Sequence, residues 1–219
     1  MKNEITYYLK KYDLEKYMKS ELIDRFFIKR FLKGEMIFSV KEESQSLYFF
    51  VEGKIKIYSA FYGDKEVIIE FCKPLQILGE VEYIQNKDIN VNVEALTPCI
   101  VIGILREDFK KMISGNDKLY ELLLRTVTSK LTSTMTHILS YHQKPLEERI
   151  LNYLKELSQN NKVEKIKYIE MAGFLKISDR HLRKVLKELD DTGVISKSGK
   201  TIHILKWPDN IKKNLIQYF

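Results

Sequence analysis

Between residues 34 and 142 the apolar repeat of this chain changes from two residues to three and a half. From Gly34 the runs "MIFSV", "SLYFFVEGKIKIYSAFY", "KEVIIEFCKP", "INVNVEAL" and "CIVIGILR" are β-branched and aromatic, and turn pairs break them. In "GKIKIYSAFY" polar and apolar residues alternate, as on a half-buried strand. Glu52-Gly53 and Gly63-Asp64 are the clearest hairpin corners. Short strands at this spacing predict a small antiparallel barrel or sandwich over about residues 34–106. Beyond it, Tyr120, Leu124, Val127, Leu131, Thr134, Ile138 and Tyr141 step by four and three, an a/d seam sustained for three heptads. Asn116 or Asp117 is placed to cap that helix, which should run to about His142, before Pro145. Leu119, Leu122, Leu123 and Met135 lie off the seam and are free to pack on the barrel. A helix with two apolar faces suits a chain that pairs with a second copy of itself; burial within one chain is the alternative.

The flanks differ from this middle. The first 30 residues read as short helices, the second capped by Asp13 and continuing through "LEKYMKSELIDRFFIKRF". Gln143-Lys144-Pro145 reads as a hinge. After it come a helix "LEERILNYLKELSQ", a polar loop "NNKVEK", two short helices "IEMAGFLK" and "DRHLRKVLKELDDT", and "GVISKSGKTIHILK". Three segments result: an effector or sensor domain over 1–115, a dimerisation helix and hinge over 116–143, and a C-terminal domain over 144–219.

Charge follows the same division. The net charge is +7; residues 144–219 carry sixteen Lys/Arg against ten Asp/Glu, a balance of +6. A localised basic excess suits a polyanion, whether nucleic acid or an anionic membrane surface, though a solvated basic face would read the same. No apolar run is long enough to span a bilayer, and the N-terminus is charged throughout, so the cytoplasm is the expected location. Two cysteines, Cys72 and Cys99, fit a reducing compartment; core packing is the first reading of both, a redox pair the second.

The stretch "ISDRHLRKVLKELDDTGVISKSGKTIHI" (177–204) is the most informative. Its spacing, with "IEMAGFLK", fits two helices meeting across a tight turn. Ile169, Ala172 and Leu175 should face inward, Ile177 should fill the turn, and Leu182, Val185, Leu186 and Leu189 should bury the second helix. Ser178 is a good N-cap. Asp179, Arg180, His181, Arg183, Lys184 and Lys187 are left outside, with Asp179 expected to hold the Arg180 fork. Such a helix can enter a DNA major groove. Arginine forks read guanine edges, whereas lysines and the Ser178 hydroxyl suit phosphates. A hairpin turning at Ser198-Gly199 would bring Lys197, Lys200 and Thr201 to the backbone as a wing does. A basic module that binds protein is the competing reading.

Taken together, "FVEGKIKIY", "ILGEVEYI", the heptad helix and "ISKSGKTIHI" make the chain resemble the Crp/Fnr family of bacterial transcription regulators over about residues 15–206. "RHL" (180–182) with "LGEVEYI" (78–84) leans toward the YeiL-like branch. The resemblance implies an α+β chain: an N-terminal antiparallel β-barrel of the cyclic-nucleotide-binding jelly-roll kind, a long dimerisation helix and a C-terminal winged helix-turn-helix. It implies a homodimer on a palindromic site in double-stranded DNA, with RNA polymerase as a further contact. It also implies an effector pocket around Gly79 and Glu80. The family's phosphate-binding arginine and its neighbouring hydroxyl fall here on Ile89 and Asn90, and no Lys or Arg lies between Lys87 and Arg106. A buried phosphate left without a cation costs several kcal/mol, so cyclic AMP is not the expected effector; an unidentified small organic molecule, or none, is. Two cysteines are too few for an iron–sulfur cluster, and the histidines (His137, His142, His181, His203) all lie outside the barrel, so no metal or other cofactor is expected. An enzyme of the cupin kind is disfavoured on the same ground. A cyclic-nucleotide-like regulatory subunit acting through protein contacts stays open.

Overall fold

The computed structural model describes residues 2–43, 45–62 and 65–207, with backbone alone for 60–62, 65, 66 and 136–143. The chain divides into two compact units, residues 1–59 with 69–136, and residues 60–68 with 137–219.

In the first unit, helix α1 (Lys2–Lys11) precedes two 3-10 turns, Glu15–Tyr17 and Ser20–Arg25. The long second helix expected here does not form. Asp13 sits at φ 52° and caps nothing, and Phe27–Phe31 is a strand, β1. The reason is pairing: β1 runs antiparallel to β8 (Cys99–Leu105), with Phe27 opposite Gly103 and Phe31 opposite Cys99. Gly103 is required by that approach, since a Cβ there would lie 2.4 Å from the Phe27 ring.

The remaining strands are β2 (Met36–Phe38), β3 (Ser46–Glu52), β4 (Ile55–Tyr62), β5 (Lys65–Cys72), β6 (Gln76–Leu78) and β7 (Asn92–Ala95). They form two four-stranded sheets, ordered β1-β8-β3-β6 and β2-β7-β4-β5. Of the expected barrel or sandwich, the barrel is corrected: the strands form two sheets and do not close, and the β region begins at residue 27 rather than 34. The corner at Gly53 is as expected: φ is +106°, and a Cβ would lie 2.5 Å from the Cys99 sulfur. The Gly63-Asp64 corner lies outside the described residues.

Strand β3 explains why "SLYFFV" reads as an unbroken apolar run. Side chains alternate across a strand, and both faces of β3 are buried. Leu47, Phe49 and Val51 join Ile102 and Ile104 of β8 in a core closed by α1, by helix α3 (Arg106–Ile113, through Phe109 and Met112) and by the base of helix α4 (Asp117–Gln143, through Leu119 and Leu123). Tyr48 and Phe50 point the other way, into a second core with Ile37, Phe38, Ile55, Val93 and Val101. Full burial of a side chain such as Phe49 is worth about 1.5–3 kcal/mol. Asn116 caps α4, its Oδ1 accepting from the Leu119 N–H at 3.2 Å. Leu122 packs on the first core as expected, but Met135 does not: it is exposed.

In the second unit, helix α5 (Leu146–Leu157) buries Ile150, Leu151, Tyr153 and Leu154. Helices α6 (Tyr168–Phe174) and α7 (Asp179–Asp191) follow, then strands β10 (Ile195–Ser198) and β11 (Thr201–Ile204). A two-residue strand, β9 (Lys162–Val163), pairs with β11 to complete a sheet ordered β10-β11-β9. Met171, Ala172 and Leu175 bury α6, whereas Ile169, expected inside, is 67% exposed. Position 171 rather than 169 falls on the inner stripe with 172 and 175. Leu182, Val185, Leu186 and Leu189 bury α7 as expected.

Candidate functional site

The exposed face of α7 and the hairpin beside it carry the DNA-contact candidates. Ser178 ends the turn from α6, and its hydroxyl accepts from the His181 N–H at 3.2 Å, which fixes where α7 begins. The α6 end is fixed too: the Arg149 guanidinium donates to the Leu175 carbonyl, pairing a group that a helix C-terminus leaves open. Arg180, His181, Arg183, Lys184 and Lys187 are all exposed, and Asp179 is half-buried. Asp179 does not hold Arg180. Its Oδ2 pairs with Arg183 Nε at 2.6 Å, because residues four apart share a helix face and adjacent ones do not. Lys184 Nζ stands 3.8 Å from Glu188.

The hairpin turns at Ser198-Gly199, leaving Lys200 exposed and Thr201 half-buried. Three contacts fix its position: the Lys197 N–H donates to Asp190 Oδ1 (3.1 Å), the Ile166 N–H to the Lys200 carbonyl (2.9 Å), and the Tyr168 hydroxyl to the Gly199 carbonyl (3.0 Å). The Tyr168 ring also lies 4.9 Å from the Arg183 guanidinium and 5.2 Å from Lys197 Nζ. Burial pushes the Tyr168 phenol up, against the pull of Arg183. Sequence reading missed Tyr168, although its place at the first position of α6 was there to be weighed.

The effector candidates lie in the first unit. Gly79, at φ 86°, starts the short helix α2 (Glu80–Gln85). Glu80 is almost fully buried, and Lys130 of α4 reaches across to it, its Nζ donating to Glu80 Oε1 at 2.6 Å and to the Ile77 carbonyl at 2.7 Å. Ile89 is part of the second apolar core, and Asn90 is exposed. Two more carboxyls stand close by. Burial pushes Glu70 up, while Lys130 and hydrogen bonds donated by the Cys72 thiol and the Ser133 hydroxyl pull it down. Burial also pushes Glu82 up, and the charge of Glu80 adds to that. The counter-charge of Glu80 thus comes from 50 residues away, on the helix. Among the other lysines, Lys56 is buried and pairs with Glu94 at 3.0 Å.

Cys72 and Cys99 are both free and buried in the second core. Burial pushes the Cys72 thiol up to about 12 and raises that of Cys99, so neither favours the reactive thiolate. Along α4, Tyr120, Leu124 and Leu131 are 55%, 68% and 58% exposed, Val127 is half-buried, and Thr134 is exposed with its hydroxyl donating to the Lys130 carbonyl. The side chains of Ile138 and Tyr141 lie outside the described residues, as do those of His137 and His142. Among the described residues no helix is long and apolar enough to cross a membrane.

Comparison with known proteins agrees with this geometry. Residues 28–116 match the cyclic nucleotide-binding domain model. The HTH-type transcriptional regulator ArcR of Staphylococcus aureus is 25% identical over 183 residues, covering 82% of this chain and 74% of ArcR. A CRP-family transcriptional regulator from Thermus thermophilus superposes with a TM-score of 0.67 at 21% identity, over 84% of this chain and 95% of its own. A CRP/FNR-family regulator from the same organism gives 0.66 at 18% identity, over 85% and 97%. The chain thus carries a cyclic nucleotide-binding domain over residues 28–116 and shares its fold with regulators of the CRP/FNR kind over most of its length.

Proposed function

We propose that the protein regulates transcription as a homodimer bound to a palindromic site in double-stranded DNA. Residues 144–219 act as a winged helix-turn-helix, with α7 as the recognition helix and the β10–β11 hairpin as the wing. The observation that carries this reading is α7 itself. Its buried stripe is wholly apolar, its start is capped by Ser178, and Arg180, Arg183, Lys184 and Lys187 are exposed along it. Residues 116–143 pair the two copies through the Tyr120–Tyr141 seam, and residues 1–115 form the effector or sensor domain. RNA polymerase is the further partner that this class of regulator addresses.

Cyclic AMP is not the signal in this reading. The position where the family's arginine falls is Ile89, in an apolar core, and the cation beside Glu80 is already engaged. A cyclic phosphate would enter with no compensating charge, at a cost of several kcal/mol. Any effector is an unidentified small organic molecule.

The test is selection of a preferred duplex from random-sequence DNA, followed by titrations with and without cyclic AMP at several salt concentrations. Wild type should select a palindrome, and cyclic AMP should leave affinity unchanged. Arg180→Ala should cost about 1–3 kcal/mol on the preferred site and little on scrambled DNA. Lys184→Ala should weaken both alike and lower the salt slope by about one unit per half-site. Failure to select any sequence would overturn the assignment.

A further inference from the structure

We propose that Tyr168 is a positioning residue for DNA recognition. Its ring gathers the Arg183 guanidinium and the Lys197 ammonium, so that helix and wing meet DNA as one preset unit. The inference rests on the DNA-binding reading and adds a residue outside both contact elements.

The geometry is specific to this residue. Arg183 comes from α7 and Lys197 from β10, two elements that must otherwise order their cations separately. Both lie within cation–π range of one ring, at 4.9 Å and 5.2 Å. The hydroxyl of the same ring holds the wing turn at the Gly199 carbonyl, 3.0 Å away. Arg183 is restrained twice over, because Asp179 takes its Nε at 2.6 Å. Among the described residues no hydrogen bond engages its two Nη groups, which form the edge that reads guanine. A long cationic side chain loses rotamer freedom when it docks, and each such loss weakens binding by a factor of about 2 to 13. Tyr168 takes that loss before DNA arrives.

The experiment is a set of DNA titrations on the duplex that wild type selects from a random pool. Tyr168→Leu should weaken that duplex about 5- to 20-fold while leaving the thermal transition of the protein nearly in place. Tyr168→Phe keeps the ring and should bind within about twofold of wild type. In an Arg183→Ala/Lys197→Ala background, adding Tyr168→Leu should cost less than about twofold, because nothing remains to position. The proposal is overturned if the Tyr168→Leu penalty persists undiminished in that background, which would mean a purely structural role. It is equally overturned if Tyr168→Phe loses as much as Tyr168→Leu. A wild-type protein that selects no duplex fails at the first step, which overturns the DNA reading and this one with it; the variant outcomes overturn this one alone.

Discussion

Replacing Lys130 with methionine should destabilise the first unit. Methionine keeps most of the aliphatic stem and removes the ammonium. What remains is Glu80, with a side chain 2% exposed and its ion-pair partner gone, and an Ile77 carbonyl that has lost a donor. Removing one partner of a buried ion pair costs about 3–5 kcal/mol, because the surviving charge stays desolvated. Lys130 is itself 25% exposed, so water reaches part of the gap, and the lower end, about 3 kcal/mol, is the expected cost. For a chain of this length that lowers the melting temperature by about 6–12 °C. Urea unfolding followed by circular dichroism gives the free energy, and calorimetry gives the temperature. Adding Glu80→Gln should recover more than half the loss, since the neutral amide needs no counter-charge. A cost below about 1 kcal/mol, or a double variant no more stable than the single one, would refute the view that the pair is buried and tightly held.

Two further outcomes are expected. Leu124→Glu with Leu131→Glu should leave the chain folded, because both side chains are already exposed in one copy, and should convert a dimer into monomers in analytical ultracentrifugation; a dimer that survives would mean the seam is misplaced. Glu70→Gln should flatten the pH dependence of stability. A carboxyl held above its usual range by burial adds stability below its unfolded pKa, about 4.3, and that contribution is lost as pH rises through the raised folded value. The variant should therefore gain on wild type as pH climbs from about 4 toward 7, in thermal melts run across that range. An unchanged pH profile would count against it.

What could be read from the sequence was what neighbours along the chain decide. Ser178 caps its helix through a residue three positions on, and Asn116 does the same at the start of α4. The inner stripe of α7 is likewise local, whereas the half-buried alternation expected in β4 is not found, since Lys56 and Ser59 are buried along with Ile55 and Tyr58. The errors fall where the deciding contact is distant. "FFIKRF" fits a helix or a strand equally well until β8 offers it a ladder. Lys130 looks like an ordinary helix-surface lysine, and only the folded chain brings it to Glu80. Strand β9 is two residues long, too short for any periodicity to show. The pairing of Asp179 is different, since helix geometry alone assigns it to Arg183 rather than to Arg180. Ile169 was similarly decidable from the stripe that Met171, Ala172 and Leu175 define.

The order β10-β11-β9 also bears on how this protein behaves when crowded. Among the described residues, only the middle strand of that small sheet has a strand on both sides, and its outer edges are partly covered: Gln159 takes both backbone groups of Lys162, and Asp190 takes the Lys197 N–H. An open edge is a template for another chain, and concentrating a protein multiplies the chances of strand-to-strand stacking. Here one edge is two residues long, with exposed Lys162, and the other is four residues long, with Ser196, Lys197 and Ser198. Short strands that carry lysine repel their own kind and give little to zip onto. The hairpin can thus stay exposed at high local concentration without seeding aggregates, whereas replacing Lys162 and Lys197 with valine would create the sticky edge that it now avoids.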